Sequence, residues 1–133
     1  MIRRAACECG ALSIEVRGEP LGVGICHCLA CQRRTGSVFA ALATFAAPWR
    51  VTGASIAYRR MGDAGASFTF AFCPTCGTSL FHVEDGVDGR VSVAVGGFAD
   101  PAFPSPAVSV YDDRRHRWVA LPPEVRRFAR DPD

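Results

Sequence analysis

The chain has 133 residues, of which 49% are hydrophobic and 21% charged, which predicts one globular domain over residues 1–133 and excludes a disordered chain. Its formal charge is only +2 and all 15 basic residues are arginine, so the composition gives no indication of a nucleic-acid partner. It has neither a run of about 18 apolar residues nor a secretory signal, so we expect a cytoplasmic protein with no membrane partner.

The predicted elements are mostly short strands. About eight segments are rich in Val, Ile, Phe and Ala, and several of them alternate apolar with polar residues. In chain order they are ALSIEVRG (11–18), GVGICHC (22–28), SVFAALATF (37–45), SIAYRR (55–60), SFTFAFC (67–73), TSLFHV (78–83), RVSVAVGG (90–97) and AVSVYDD (107–113). We therefore predict an all-β fold of small sheets packed face to face, with short helical turns only around LACQRR and near PPEVRRFAR.

Seven cysteines fall into three groups along this pattern, namely Cys7 and Cys9, then Cys26, Cys28 and Cys31, then Cys73 and Cys76. An odd number of cysteines without a secretory signal indicates metal or thiol chemistry and not a disulfide framework. Residues two apart on a strand share a face, so each Cys-x-Cys pair can chelate an ion. The CPTCG knuckle brings two more sulfurs to one centre. Four such thiolates are typical of tetrahedral zinc.

The spacing allows two divisions of these cysteines. In the first, a closed site of four sulfurs leaves a compact trio whose fourth position is open: the four are Cys7, Cys9, Cys73 and Cys76, and the three are Cys26, Cys28 and Cys31. In the second, Cys26 and Cys28 join Cys73 and Cys76, which leaves Cys7, Cys9 and Cys31. The first division is favoured because a trio from one short segment needs no distant loop.

Five blocks of the sequence together resemble a known family. CECGALSIEV, CHCLACQRRTGS, FCPTCGTSLF, VAVGGFADP and HRWVALPPEVRRFA are similar to successive blocks of the glutathione-dependent formaldehyde-activating enzyme family, which includes centromere protein V-like proteins. The resemblance covers nearly the whole chain. It implies a zinc β-tent fold of several small antiparallel sheets, similar to methionine sulfoxide reductase B and Rab-interacting zinc proteins. Two departures are Gln32, where arginine is more common, and GGFADP (96–101), which lacks an acid beside Asp100.

The resemblance also implies two zinc ions per chain and a function. One ion would be structural, at Cys7, Cys9, Cys73 and Cys76, and the other catalytic, at Cys26, Cys28 and Cys31. The implied activity is that of a carbon-sulfur lyase on S-(hydroxymethyl)glutathione or a related small thiol adduct. We expect Arg33, Arg34 and Ser37 to contact this substrate, because guanidinium forks suit carboxylates and the turn at 35–37 offers free backbone N–H groups or hydroxyls.

A second class of function stays open, that of a non-catalytic zinc module that binds a protein. Its second site would be a structural zinc completed by His27, His82 or His116. We expect His27 to be packed, His82 to lie at the surface more readily than near the site, and His116 to lie in a solvated loop. Arg59 and Arg60 are expected to form a solvated pair without a role.

Overall fold

The computed structural model describes residues 1–131 and consists mostly of strands. They are β1 (Ile2–Ala6), β2 (Ser13–Arg17), β3 (Gly22–Cys26), β4 (Ala40–Ala46), β5 (Arg50–Thr52), β6 (Ile56–Met61), β7 (Ser67–Phe72), β8 (Ser79–Glu84), β9 (Arg90–Ala94), β10 (Val108–Val110) and β11 (Arg126–Arg127). A short helix, α1, spans Leu29–Thr35, and two 3-10 turns span Val95–Phe98 and Asp112–Arg114. Within residues 1–131, no helix is long and apolar enough to cross a membrane. The predicted all-β class is confirmed.

The strands form two sheets. The larger sheet has eight strands in the order β11-β10-β3-β4-β9-β8-β7-β6, and the smaller has three in the order β1-β2-β5. The larger sheet is mixed. Strand β10 runs parallel to both β3 and β11, and all the other strand pairs of this sheet are antiparallel. The zinc β-tent arrangement implied by the resemblance stays a prediction.

Alternating burial explains why these segments form strands. In β9, Val91 and Val93 are buried while their neighbours are more exposed, and β2 likewise buries Ile14 and Val16. Side chains from both sheets meet in one core, in which Phe45 and the other large members are fully buried. Burying each such side chain contributes about 1.5–3 kcal/mol, so the core fixes the register that brings the cysteine segments together.

Each of the eight predicted segments overlaps a strand, and the helix predicted around LACQRR is α1. The helix predicted near PPEVRRFAR is wrong. Val125 is buried, and the N–H groups of Arg126 and Phe128 donate to the carbonyls of Ala107 and Ser109 at 2.9 and 2.8 Å. Because these bonds run along β10, the segment extends as β11 instead of coiling.

Candidate metal centres and the cavities beside them

The first cysteine cluster, here called the quartet, joins the turn after β1 to the knuckle after β7. Its four Sγ atoms lie within 4.8 Å of one another, and they belong to Cys7, Cys9, Cys73 and Cys76. The first pair lies in a turn and not on a strand as predicted, because the Gly10 N–H donates to the Cys7 carbonyl at 3.0 Å. In the knuckle, Gly77 has a φ of 79°, a conformation that glycine adopts without strain.

The sulfur spacing of the quartet fits a tetrahedral metal ion. The Sγ atoms of Cys7 and Cys9 are 3.7 Å apart, as are those of Cys9 and Cys73. Zinc bound about 2.3 Å from each of four sulfurs would hold them about 3.8 Å apart. The N–H groups of Cys76 and Thr75 lie 3.5 and 3.4 Å from the Cys73 Sγ and lower the pKa of this thiol. The quartet could therefore hold one ion through thiolates.

The second cluster, here called the trio, lies where β3 ends and α1 begins. The Sγ atoms of Cys26, Cys28 and Cys31 lie within 4.8 Å of one another, and the residues described by the structure add no fourth His, Cys, Asp or Glu. Cys28 caps the helix, since its Sγ accepts the Cys31 N–H at 3.2 Å. Hydrogen bonds from the other two thiols lower the pKa of Cys31. The structure thus has the first division of the cysteines, and the trio could also hold an ion.

His27 faces the protein interior between two trio cysteines. It is fully buried, and its Nε2 lies 3.0 Å from the Ser109 hydroxyl, which donates to Asp112 at 2.8 Å. Asp112 also accepts from the Arg127 Nε at 3.1 Å. Burial lowers the pKa of His27. His27 is therefore a packed residue that ties the segment between β3 and α1 to β10 and the turn after it. It belongs to neither cysteine cluster.

The trio opens onto a cavity of about 400 Å³, here called the cysteine cavity. All three cysteines line it, along with apolar and aromatic side chains such as Leu42, Phe68 and Tyr111. His82 also lines it, with its ring centroid 4.7 Å from that of Phe70. Burial lowers the pKa of His82 to about 4, so the ring is neutral at pH 7. The sequence favoured a position at the surface for His82 over one near the site, and this expectation is wrong.

Arg60 on β6 reaches the trio, and the sequence did not predict this contact. Its Nη2 donates to the Cys31 Sγ at 3.7 Å, and its guanidinium lies 4.8 Å from the centre of the Phe70 ring. The preceding residue, Arg59, instead pairs with the Asp85 carboxylate at 3.3 Å. Successive residues of a strand point to opposite faces, so the alternation in SIAYRR was the available signal. The expectation of a solvated pair is wrong for Arg60.

Arg33 and Arg34 line a neighbouring cavity of about 540 Å³, here called the arginine cavity, and not the cysteine cavity. Arg34 is partly buried, with its Nη1 donating to the Ser79 hydroxyl at 2.7 Å and its guanidinium 4.3 Å from the Phe70 ring centre. Arg33 is exposed. Arg60 and Phe70 line both cavities, so the two spaces adjoin.

The turn after α1 does not offer the free N–H groups that the sequence predicted. The Gly36 N–H donates to the Gln32 carbonyl at 2.9 Å, and the Ser37 N–H donates to the Thr35 hydroxyl at 3.1 Å. Ser37 is exposed and lies outside the lining of both cavities. The Ser37 N–H is therefore engaged, which leaves the Ser37 hydroxyl as the contact that the sequence also allowed.

Gln32, one of the two departures from the family pattern, ties α1 to the loop after β10. Its amide nitrogen donates to the carbonyls of His27 and Arg114 at 2.8 and 3.2 Å, and its oxygen lies 2.9 Å from the His116 Nε2. Arginine has no acceptor for this last bond. At the other departure, Asp100 is exposed and accepts from the Ala102 N–H at 2.9 Å, so it serves a local turn.

Comparisons with known proteins give one family model and a similar solved structure. The family model described as glutathione-dependent formaldehyde-activating enzyme matches residues 2–114, so the block at 116–129 lies outside the match. The crystal structure of a Rhodobacter sphaeroides protein, a structural genomics target, is 30% identical with a TM-score of 0.56, covering 74% of this chain and 91% of that one. No curated protein matches the chain.

Proposed function

The chain belongs to the glutathione-dependent formaldehyde-activating enzyme family, and from this membership we propose that it is a zinc-dependent carbon-sulfur lyase acting on S-(hydroxymethyl)glutathione or a related small thiol adduct. One observation supports this most: the trio lines a cavity of about 400 Å³, whereas the quartet does not line it. Catalytic zinc sites keep one ligand position open, and structural ones are closed. The cavity volume lies within the range of small-molecule sites.

The reaction joins a thiol to formaldehyde. The glutathione sulfur adds to the carbonyl carbon, a carbon-sulfur bond forms, and the π electron pair moves to the oxygen. The proton that the thiol loses is gained by this oxygen, which becomes the hydroxyl of the hydroxymethyl thioether. In the reverse direction the carbon-sulfur bond breaks, and formaldehyde and the thiol are released.

The trio is proposed to hold the catalytic ion and the quartet the structural one. A zinc ion bound by the trio would supply positive charge that favours a thiolate over a thiol at neutral pH. The Arg60 N–H directed at Cys31 would stabilise negative charge on this sulfur. Phe68 and Phe70 form an apolar wall that limits water in the cavity.

The three residues predicted to contact glutathione would have unequal parts. Arg33 is exposed at the arginine cavity, where its planar guanidinium suits a carboxylate. Arg34 is already held against Phe70 and Ser79, so it would contribute positive charge to the cavity lining without moving. Ser37 would contribute through its hydroxyl. The alternative, a non-catalytic module with two structural ions, needs a fourth protein ligand at the trio, and residues 1–131 offer none within the cluster.

The test of this proposal is the rate at which formaldehyde and glutathione exchange with their adduct, measured by NMR magnetisation exchange. We expect the zinc-loaded protein to raise this rate above that of buffer. Cys28→Ser should return it to the buffer rate, while Arg59→Gln, outside both cavities, should retain the wild-type rate. Equal rates with and without the wild-type protein would contradict the lyase activity.

A further inference from the structure

The arginine cavity has a positive charge that no carboxylate of the described residues neutralises. Three arginines line it, Arg33, Arg34 and Arg60, and none of its lining residues is acidic. Within residues 1–131, ion pairs form at eight other arginines, but none involves these three. Guanidinium groups that no carboxylate neutralises favour an anion in a concave space, and above all a carboxylate or phosphate.

Two of the three arginines of this cavity, Arg34 and Arg60, are held in place before any ligand binds. The guanidiniums of Arg34 and Arg60 lie 4.3 and 4.8 Å from the centre of the same Phe70 ring. Arg34 is further fixed by its bond to Ser79. Side chains that are already ordered lose less conformational entropy on binding, so these cations are suited to specific recognition.

Arg60 connects this charge to the trio. One guanidinium both donates to the Cys31 Sγ at 3.7 Å and lines the arginine cavity. A ligand whose sulfur lies at the trio therefore needs only a short reach to place an anionic group beside Arg60. The thiol of glutathione lies on its central residue with a carboxylate on either side, and the two cavities share Arg60 and Phe70 in their linings.

We propose that the arginine cavity binds a carboxylate of the substrate, and that Arg60 makes the protein selective for thiols that bear a carboxylate over neutral or cationic thiols. This inference rests on the proposed function for the identity of the substrate. It assigns to Arg60 a role in specificity that is separate from its contact with Cys31. The acidic residues near the site, Asp63 and Asp131, line the cysteine cavity alone, which leaves the arginine cavity to the anionic end.

The experiment is calorimetric titration of the zinc-loaded protein with three probes. Glutathione has a thiol and carboxylates, S-methylglutathione has the carboxylates without a free thiol, and cysteamine has a thiol without a carboxylate. We expect Arg60→Gln to weaken the binding of both glutathione compounds about 10- to 100-fold, as for loss of a charge-assisted hydrogen bond. Cysteamine binding and zinc content should change little, and Arg60→Lys should restore part of the affinity. The matched control is Arg59→Gln, which should bind all three probes as the wild type does.

Three outcomes would overturn the inference. The first is that S-methylglutathione does not bind the wild type, or binds the wild type and Arg60→Gln with equal affinity. The second is an equal loss of cysteamine and glutathione binding, which would mean that Arg60 acts only through Cys31. The third is inorganic phosphate that binds as tightly as S-methylglutathione, which would indicate a free-anion site. A different result would separate the two proposals. If S-methylglutathione binds in an Arg60-dependent way but the protein shows no lyase turnover, the carboxylate site in the arginine cavity is supported and only the proposed function is contradicted.

Discussion

Replacing His82 with glutamine should change how the stability of the protein depends on pH. Burial, followed by the nearby charge of Arg34, lowers the pKa of His82 from 6.5 to about 4. Between these values the unfolded chain binds a proton that the folded chain does not. The stability associated with the neutral ring is therefore complete above a pH of about 6.5 and is lost as the pH falls towards about 4. A difference of about 2.5 pKa units corresponds to about 3 kcal/mol.

Urea unfolding at a series of pH values measures this effect. The wild type should lose about 3 kcal/mol more of its free energy of unfolding between pH ~6.5 and ~4 than His82→Gln does. Subtracting the two curves removes the contributions of carboxylates and cysteines, which both proteins share, provided that their zinc loading is equal. Parallel curves for the wild type and His82→Gln would refute the reasoning.

Two further substitutions test neighbouring contacts. Gln32→Ala removes two donated bonds and the contact with His116, so the free energy of unfolding should fall by about 1–3 kcal/mol in urea titrations. Gln32→Arg should also be less stable than the wild type, because arginine has no acceptor for the bond with His116. A wild-type stability of Gln32→Arg would show that the acceptor oxygen is unimportant. Arg33→Ala should weaken glutathione binding in calorimetry about 1.5- to 5-fold, the range for one exposed charged contact, with zinc content unchanged. Unaltered glutathione binding would remove Arg33 from the site.

Periodicity predicted the strands whose side chains alternate against the core, but it missed three others. In β1, IRRAA has only Ala5 buried, and β5 is exposed throughout, so neither has an apolar repeat to detect. β11 is two exposed arginines held by backbone bonds to β10. Such strands exist because a partner strand supplies hydrogen bonds, and that partner is distant in sequence.

The trio could be predicted because its spacing is local, whereas the cavity residues could not. Cys28 and Cys31 are fixed by one turn of α1, which short-range geometry describes. Arg60 meets Cys31 only because β6 pairs with β7 at the far edge of the eight-stranded sheet. His82 faces the cavity through its register opposite Phe70 on β7. Contacts of this kind depend on sheet order, which a single sequence does not reveal.

We propose that the two cysteine clusters are unequal, with the quartet closed by the protein and the trio open to a thiol. The most direct measurement is the visible absorption spectrum of the cobalt-substituted protein during a titration with glutathione. We predict that the wild type binds two cobalt ions, that glutathione alters its spectrum, and that Cys28→Ser binds one ion whose spectrum glutathione leaves unchanged. A wild type that binds a single ion, or two ions whose spectrum does not respond to glutathione, would contradict the claim.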